Sequence, residues 1–168
     1  MPDTQKDLGI LQSDWMLMKN PPDHTRLRGL VHKAFTPRMV EQMRQMIQGV
    51  TDDLLDRVQD KGELDLIADL AYPLPVTVIA ELLGIPKSDQ DQFHEWSNAL
   101  ARSLDLTDEA AVYDEASAAA AVFTEYLAEL AETRRKQPQN DLLSALVAVE
   151  EEGDRLTANE LYATSSLL

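Results

Sequence analysis

Apolar residues recur every three or four positions along almost the whole chain, and prolines stand between the runs. Leu27, Leu30, Val31, Ala34 and Phe35 follow this spacing, as do Val40, Met43, Met46, Val50, Leu54 and Val58. Val76, Ile79, Ala80, Leu82 and Leu83 form a third run of the same kind. A period near 3.6 puts one side of each segment into a core, so the fold class expected is all-α. Aromatics are only 5% of the residues, so that core must be built from Leu, Val, Ile, Ala and Met.

The punctuation agrees with the periodicity. Asn20-Pro21-Pro22-Asp23 reads as a turn followed by a helix start, because proline costs nothing in the first turn and Asp favours the positive end of the helix dipole. Thr36-Pro37 stops that helix and caps the next, which Lys61-Gly62 ends. Glu63-Leu64-Asp65-Leu66-Ile67 alternates, a short strand near 63–67 at most. Pro73-Leu74-Pro75 opens a helix closed by Gly84 and Pro86. Ser88 with Asp91 resembles a capping arrangement for a helix carrying Phe93, Trp96, Leu100 and Leu104. Thr107-Asp108-Glu109 begins a long helix ending near Arg134-Arg135-Lys136, with acids at its start and bases at its end. Its alanine-rich stretch from Ala116 to Ala121 reads as helix rather than linker. Asn140-Asp141 caps another helix, which frays into the Glu150 to Asp154 turn.

Residues 1–19 read as an irregular lead-in with a short apolar patch, and residues 20–168 as a single helical domain. At the carboxyl end, Thr157-Ala158-Asn159-Glu160 is a capping box. Two outcomes are open there: a short terminal helix docked on the core, or the first turns of a buried helix that was meant to continue.

Composition excludes several functions. No cysteine is present, which removes disulfides, thiol catalysis, zinc–thiolate sites and any Cys-ligated haem or iron–sulfur cluster. Asp and Glu number 30 against 15 Lys and Arg, the wrong balance for a nucleic-acid binder. No run of about 18 apolar residues and no signal peptide are read, so no membrane span is expected and the default location is the cytoplasm. His32 and His94 have no partners at metal-ligand spacing, so no metal site is expected. No catalytic set can be argued.

Charge is unevenly placed. Between Lys19 and Gln48 stand Lys19, Arg26, Arg28, Lys33, Arg38 and Arg44 against only Asp23 and Glu41, a basic stretch inside an acidic protein. Within it, His24 and Arg28 are four apart and share one helix side, near the edge of the apolar stripe. Unpaired charge is costly where it is buried. Either these side chains reach solvent or something anionic meets them; an arginine grips a carboxylate bidentately and a histidine adds a second donor.

The stretch Asn20-Pro21-Pro22-Asp23-His24-Thr25-Arg26-Leu27-Arg28-Gly29-Leu30-Val31, continued by Lys33-Ala34-Phe35-Thr36-Pro37-Arg38, closely resembles the helix-C region of bacterial cytochrome P-450 enzymes. The likeness continues through the segment from Asp65 to Pro86. Phe93-His94-Glu95-Trp96-Ser97 resembles helix F of that family, residues 108–136 helix G, Asp141 to Leu146 the start of helix H, and Leu156 to Leu161 the entry to helix I. The chain thus resembles an amino-side portion of the family, from helix C to the start of helix I, and is incomplete relative to it. Asn20 stands where the family often has Asp.

The resemblance implies haem as cofactor, with its propionates bound by His24 and Arg28. It places Leu100 and Leu104 in the roof of a cavity for a small organic substrate. Arg26, Lys33 and Arg38 would lie near the face that docks a ferredoxin or flavodoxin electron donor, or form only a solvated basic surface. The family's thiolate ligand has no counterpart here, so this chain alone is expected to be inactive as a monooxygenase and not to hold haem stably. Exposed apolar surface would then favour self-association. The alternative is a haem-free helical scaffold or interaction module reusing the fold.

Overall fold

The computed structural model describes residues 3–105, 109–151 and 156–168, and among them there is helix and turn but no strand. Eight α-helices follow in order: α1 (Lys6–Ser13), α2 (Asp23–Ala34), α3 (Pro37–Gln59), α4 (Pro73–Leu83), α5 (Gln90–Arg102), α6 (Ala110–Lys136), α7 (Leu142–Glu151) and α8 (Ala158–Leu167). The longest, α6, is the spine. Helices α1, α5 and α7 pack along it, α4 joins α5 to α7, α2 lies on α7, and α3 leans on α4 from outside. The core runs between them through Leu27, Leu83, Phe123, Leu127, Leu142, Leu146 and Leu161, all essentially inaccessible.

Side-chain caps set the starts of three of these helices. Thr36 Oγ1 accepts from the Met39 N–H at 3.2 Å and Pro37 follows it, starting α3. Asp141 Oδ1 accepts from the Ser144 N–H at 2.7 Å, starting α7. Thr157 and Glu160 exchange side-chain and backbone hydrogen bonds, the capping box read from the sequence, and α8 follows as a short helix packed on α1, α6 and α7. At Ser88 the expected cap is absent: its hydroxyl donates to Asp89 Oδ1 at 2.7 Å, and α5 starts without a side-chain cap. Thr107 and Asp108, and the turn through residues 152–154, lie outside the described residues.

Three expectations need correction. The lead-in is not irregular. It carries a 3₁₀ turn (Asp3–Gln5), then α1, then a second 3₁₀ turn (Met16–Met18). An eight-residue helix is marginal alone; this one persists because Leu8, Leu11 and Trp15, spaced at i, i+3 and i+7, are buried against the body. The small residues Ala116 and Ala120 of α6 let α1 approach closely, and Ser117 Oγ accepts from the Leu8 N–H at 3.2 Å, one of the donors a helix start leaves unpaired.

The second correction concerns residues 63–67, which form no strand. Asp65 Oδ1 accepts from the N–H groups of Ile67 and Ala68, both at 3.0 Å, and a π-helix follows over Leu66–Ala71. With no neighbouring strand to pair with, local capping wins, and Leu66 and Ile67 are left 59% and 68% exposed.

The third is hydropathic. The 18 residues Leu66–Leu83 reach a mean hydropathy of 1.6, enough by length and composition for a membrane span. The run is not one continuous α-helix, since the π-helix ends at Ala71 and Pro73 opens α4. Val78, Ala80, Leu82 and Leu83 are buried in the protein.

One polar junction lies inside. Arg134 Nε donates to Asp141 Oδ2 at 2.6 Å, with both side chains 5% exposed, and a terminal nitrogen of Arg134 donates to the Gly84 carbonyl at 2.6 Å. Gly84 ends α4 at φ +74°, and a Cβ there would come within 2.1 Å of Asp141 Oδ2. Helices α4, α6 and α7 therefore meet at one point where only glycine fits.

Candidate functional site

Two features of this fold could carry function: the flanks of α2, and a cavity between α4, α5 and the end of α8. The buried stripe of α2 is Leu27, Leu30 and Ala34. His24, Arg28 and His32, each four residues from the next, run along one flank of that stripe. His24 is half-buried, and Arg28 and His32 are exposed. Among the described residues neither His24 nor Arg28 makes a side-chain hydrogen bond or ion pair. The pair thus stands together, one turn apart and accessible.

The other bases separate from them. Arg26 and Lys33 are seven apart and fall on the opposite flank of the same stripe. Arg26 is tied down: its guanidinium is paired with Glu160 in the first turn of α8. One Glu160 oxygen receives Arg26 while the other accepts from the Thr157 N–H at 2.8 Å. Arg38 is exposed in the first turn of α3, a different element again. The basic stretch is thus split between two flanks of α2 and the start of α3, a partition that only the helical register reveals.

The cavity encloses about 260 Å³. Leu100 lines its wall and is buried, and Leu104 lines its mouth at 51% exposure. Sequence reasoning missed most of the rest of the wall: Val76 and Ile79 from α4, Phe93 from α5 and Phe123 from α6. Trp15, from the apolar patch of the lead-in, completes it. Trp15 is fixed by a hydrogen bond from its Nε1 to Ser166 Oγ at 2.9 Å, which joins the lead-in to α8 beside the cavity. The aromatic wall continues behind it, with Phe93 edge-on to Phe123 at 5.5 Å and Trp96 stacked on Phe123 at 5.7 Å. Ser97 and Asn98 supply polar groups from α5, and Tyr72 stands half-exposed at the rim. Such a space suits a small, largely apolar molecule with a polar group.

Two titratable groups near this wall are perturbed. Burial raises the Tyr126 phenol, and its hydrogen bond to Asp89 Oδ2 at 2.9 Å adds to the shift. Burial lowers His94, against the opposing pull of Asp91.

No family model matches the sequence. Individual relatives do. The chain is 49% identical over 154 residues to cytochrome P-450 107B1 of Saccharopolyspora erythraea, a match covering 91% of this chain and 36% of that protein. It is 44% identical over 156 residues to the polyketide biosynthesis cytochrome P-450 PksS of Bacillus subtilis, covering 93% and 37%. Among solved structures, P-450 BioI in complex with hexadec-9Z-enoic acid ligated acyl carrier protein superposes with a TM-score of 0.88 at 37% identity, covering 97% of this chain and 42% of that one. The structure of PksS gives 0.83 at 41% identity. The chain spans roughly two-fifths of the length of these proteins. Sequence and fold agree over nine-tenths of its residues, and the chain belongs to the bacterial cytochrome P-450 family, matching the amino-side portion of its members.

Proposed function

We infer that this chain forms the propionate-binding and cavity-lining part of a haem-dependent monooxygenase acting on a small organic substrate. The observation that carries this reading is the His24–Arg28 pair, two nitrogen donors one turn apart on an accessible flank and without another partner among the described residues. Their chemistry fits the carboxylate arms of haem: the Arg28 guanidinium would hold a carboxylate, and the His24 imidazole would add a further donor. The donor set fits the arms only, since the chain has no cysteine to offer the iron.

Haem bound through a thiolate supplies the activation of dioxygen in this family. The residues here have other tasks. His24 and Arg28 orient the cofactor from its edge, while Leu100 and Leu104 exclude water from the substrate. Arg38, with Lys33 and the exposed part of Arg26, gives a basic surface to an acidic ferredoxin or flavodoxin in the cytoplasm. Alone, the chain does not oxygenate substrate.

Haemin titration, followed in the Soret region, tests this. Weak binding is expected for the wild-type chain, several-fold weaker binding for Arg28→Ala and for His24→Ala, and none for the double variant. Equal binding by all four proteins overturns the assignment. Reduction under carbon monoxide is expected to give no thiolate-type band.

A second reading has its own support. Leu66, Ile67, Tyr72 and Leu104 are large apolar side chains left exposed in the π-helix and at the cavity mouth. Surface of this kind favours a haem-free scaffold that self-associates. Equilibrium sedimentation separates the two: a dimer that ignores haemin supports the scaffold, and a monomer counts against it.

A further inference from the structure

His94 is the anomaly in an otherwise satisfied interior: its Nε2 is fully buried and meets no hydrogen-bond partner among the described residues. Buried polar atoms of this kind are rare and costly. By helical register His94 shares one side of α5 with Gln90, Ser97 and Ala101. One turn before it, Gln90 Nε2 donates to Glu81 Oε1 of α4 at 3.0 Å. One and two turns after it, Ser97 and Ala101 line the cavity together with Ile79 of α4. His94 therefore stands between Gln90, which bonds to α4, and Ser97, which lines the cavity, and its register assigns it to the seam between the two helices.

We propose that His94 is a proton-operated wedge: neutral, it lets α4 and α5 close against each other, and protonated, it forces the seam apart and loosens the cavity wall. The reason is the count of donors. A neutral imidazole leaves one buried nitrogen unsatisfied, a cost the packing tolerates. An imidazolium carries a proton on both nitrogens, so a charged N–H points into a site with no acceptor, and the seam must admit water to meet it. The charged groups lining the groove where α3, α4 and α5 meet are Asp91 on α5, Glu81 on α4, Lys87 in the turn between them, and Asp53 and Arg57 on α3. Of these, Asp91 draws His94 toward the protonated form, and burial outweighs it. The neutral state is thus the one the closed seam selects.

Amide hydrogen exchange of the full chain, corrected for the intrinsic pH dependence, tests the wedge between about pH 7.5 and about pH 5.5, where histidine titrates. Protection of α4 and α5 is expected to fall several-fold more than that of α7 as the pH drops. The extra loss is expected to vanish in both His94→Gln and His94→Phe, two replacements of different shape that cannot be protonated. Persistence of the loss in either variant, or no differential loss in the wild type, overturns the proposal. So does an NMR titration in which His94 protonates at or above the ordinary pH range of a free histidine.

Discussion

Arg134 and Asp141 face each other at 2.6 Å through Nε and Oδ2, each side chain 5% exposed, and the same guanidinium reaches the Gly84 carbonyl. A buried pair of this kind contributes little net stability against an apolar replacement, but breaking it on one side leaves a charge with no water. Arg134→Met and Asp141→Leu should each cost about 3–5 kcal/mol. The double variant should recover much of that loss. Urea unfolding of the four proteins checks this, and additive losses would show that the two residues do not act as a unit.

Gly84→Ala should be destabilising for two separate reasons. The φ of +74° strains any side chain, at about 1–2 kcal/mol. The new Cβ also collides with the Asp141 carboxylate, so Arg134 must move. Asp141→Ala in the same background removes the collision with the carboxylate and leaves the strain and the 2.9 Å approach to the flexible end of Arg134. Gly84→Ala should therefore cost measurably less in the Asp141→Ala protein than in the wild type, by thermal unfolding of the four proteins.

Trp15 is expected to contribute more than its position near the amino terminus suggests. Trp15→Phe keeps most of the apolar contact and loses the bond to Ser166, a cost of about 1 kcal/mol. Trp15→Ala empties a fully buried site and should cost about 3–5 kcal/mol. Near-ultraviolet dichroism with urea unfolding reads both, and a negligible loss for Trp15→Ala would mean the lead-in is not part of the cooperative unit.

The two flanks of α2 should separate in mutagenesis. Arg26→Ala removes a partly exposed pair with Glu160 and should lower stability by about 1 kcal/mol or less, with haemin affinity unchanged. Arg28→Ala should do the reverse, since among the described residues it has no partner to lose. Haemin titration beside thermal unfolding checks the contrast; equal effects of both substitutions would dissolve the distinction between the flanks.

Much of this was legible in the amino-acid order, for identifiable reasons. The helices from α2 onward announce themselves through a 3.6-residue apolar period and through Thr36, Asp141 and the Thr157–Glu160 box, whose caps all form. The His24–Arg28 adjacency also follows from spacing alone. What escaped was tertiary in origin. Helix α1 is too short to declare itself and exists because Ala116, Ser117 and Ala120 make room for it. The alternation at 63–67 suggested a strand, but alternation without a pairing partner is no strand, and Asp65 turned the chain into a π-helix. Trp15, Phe123 and the pair Val76 and Ile79 join one cavity wall from three distant segments, a convergence no local pattern encodes.

Glu160 holds the start of α8 with one oxygen and Arg26 of α2 with the other. A single carboxylate therefore joins two helices through residues that stand 134 apart in the chain. The same short helix, α8, meets α2 at its first turn through Glu160 and Trp15 at its last through Ser166, so the flank of α2 and the cavity wall share one support.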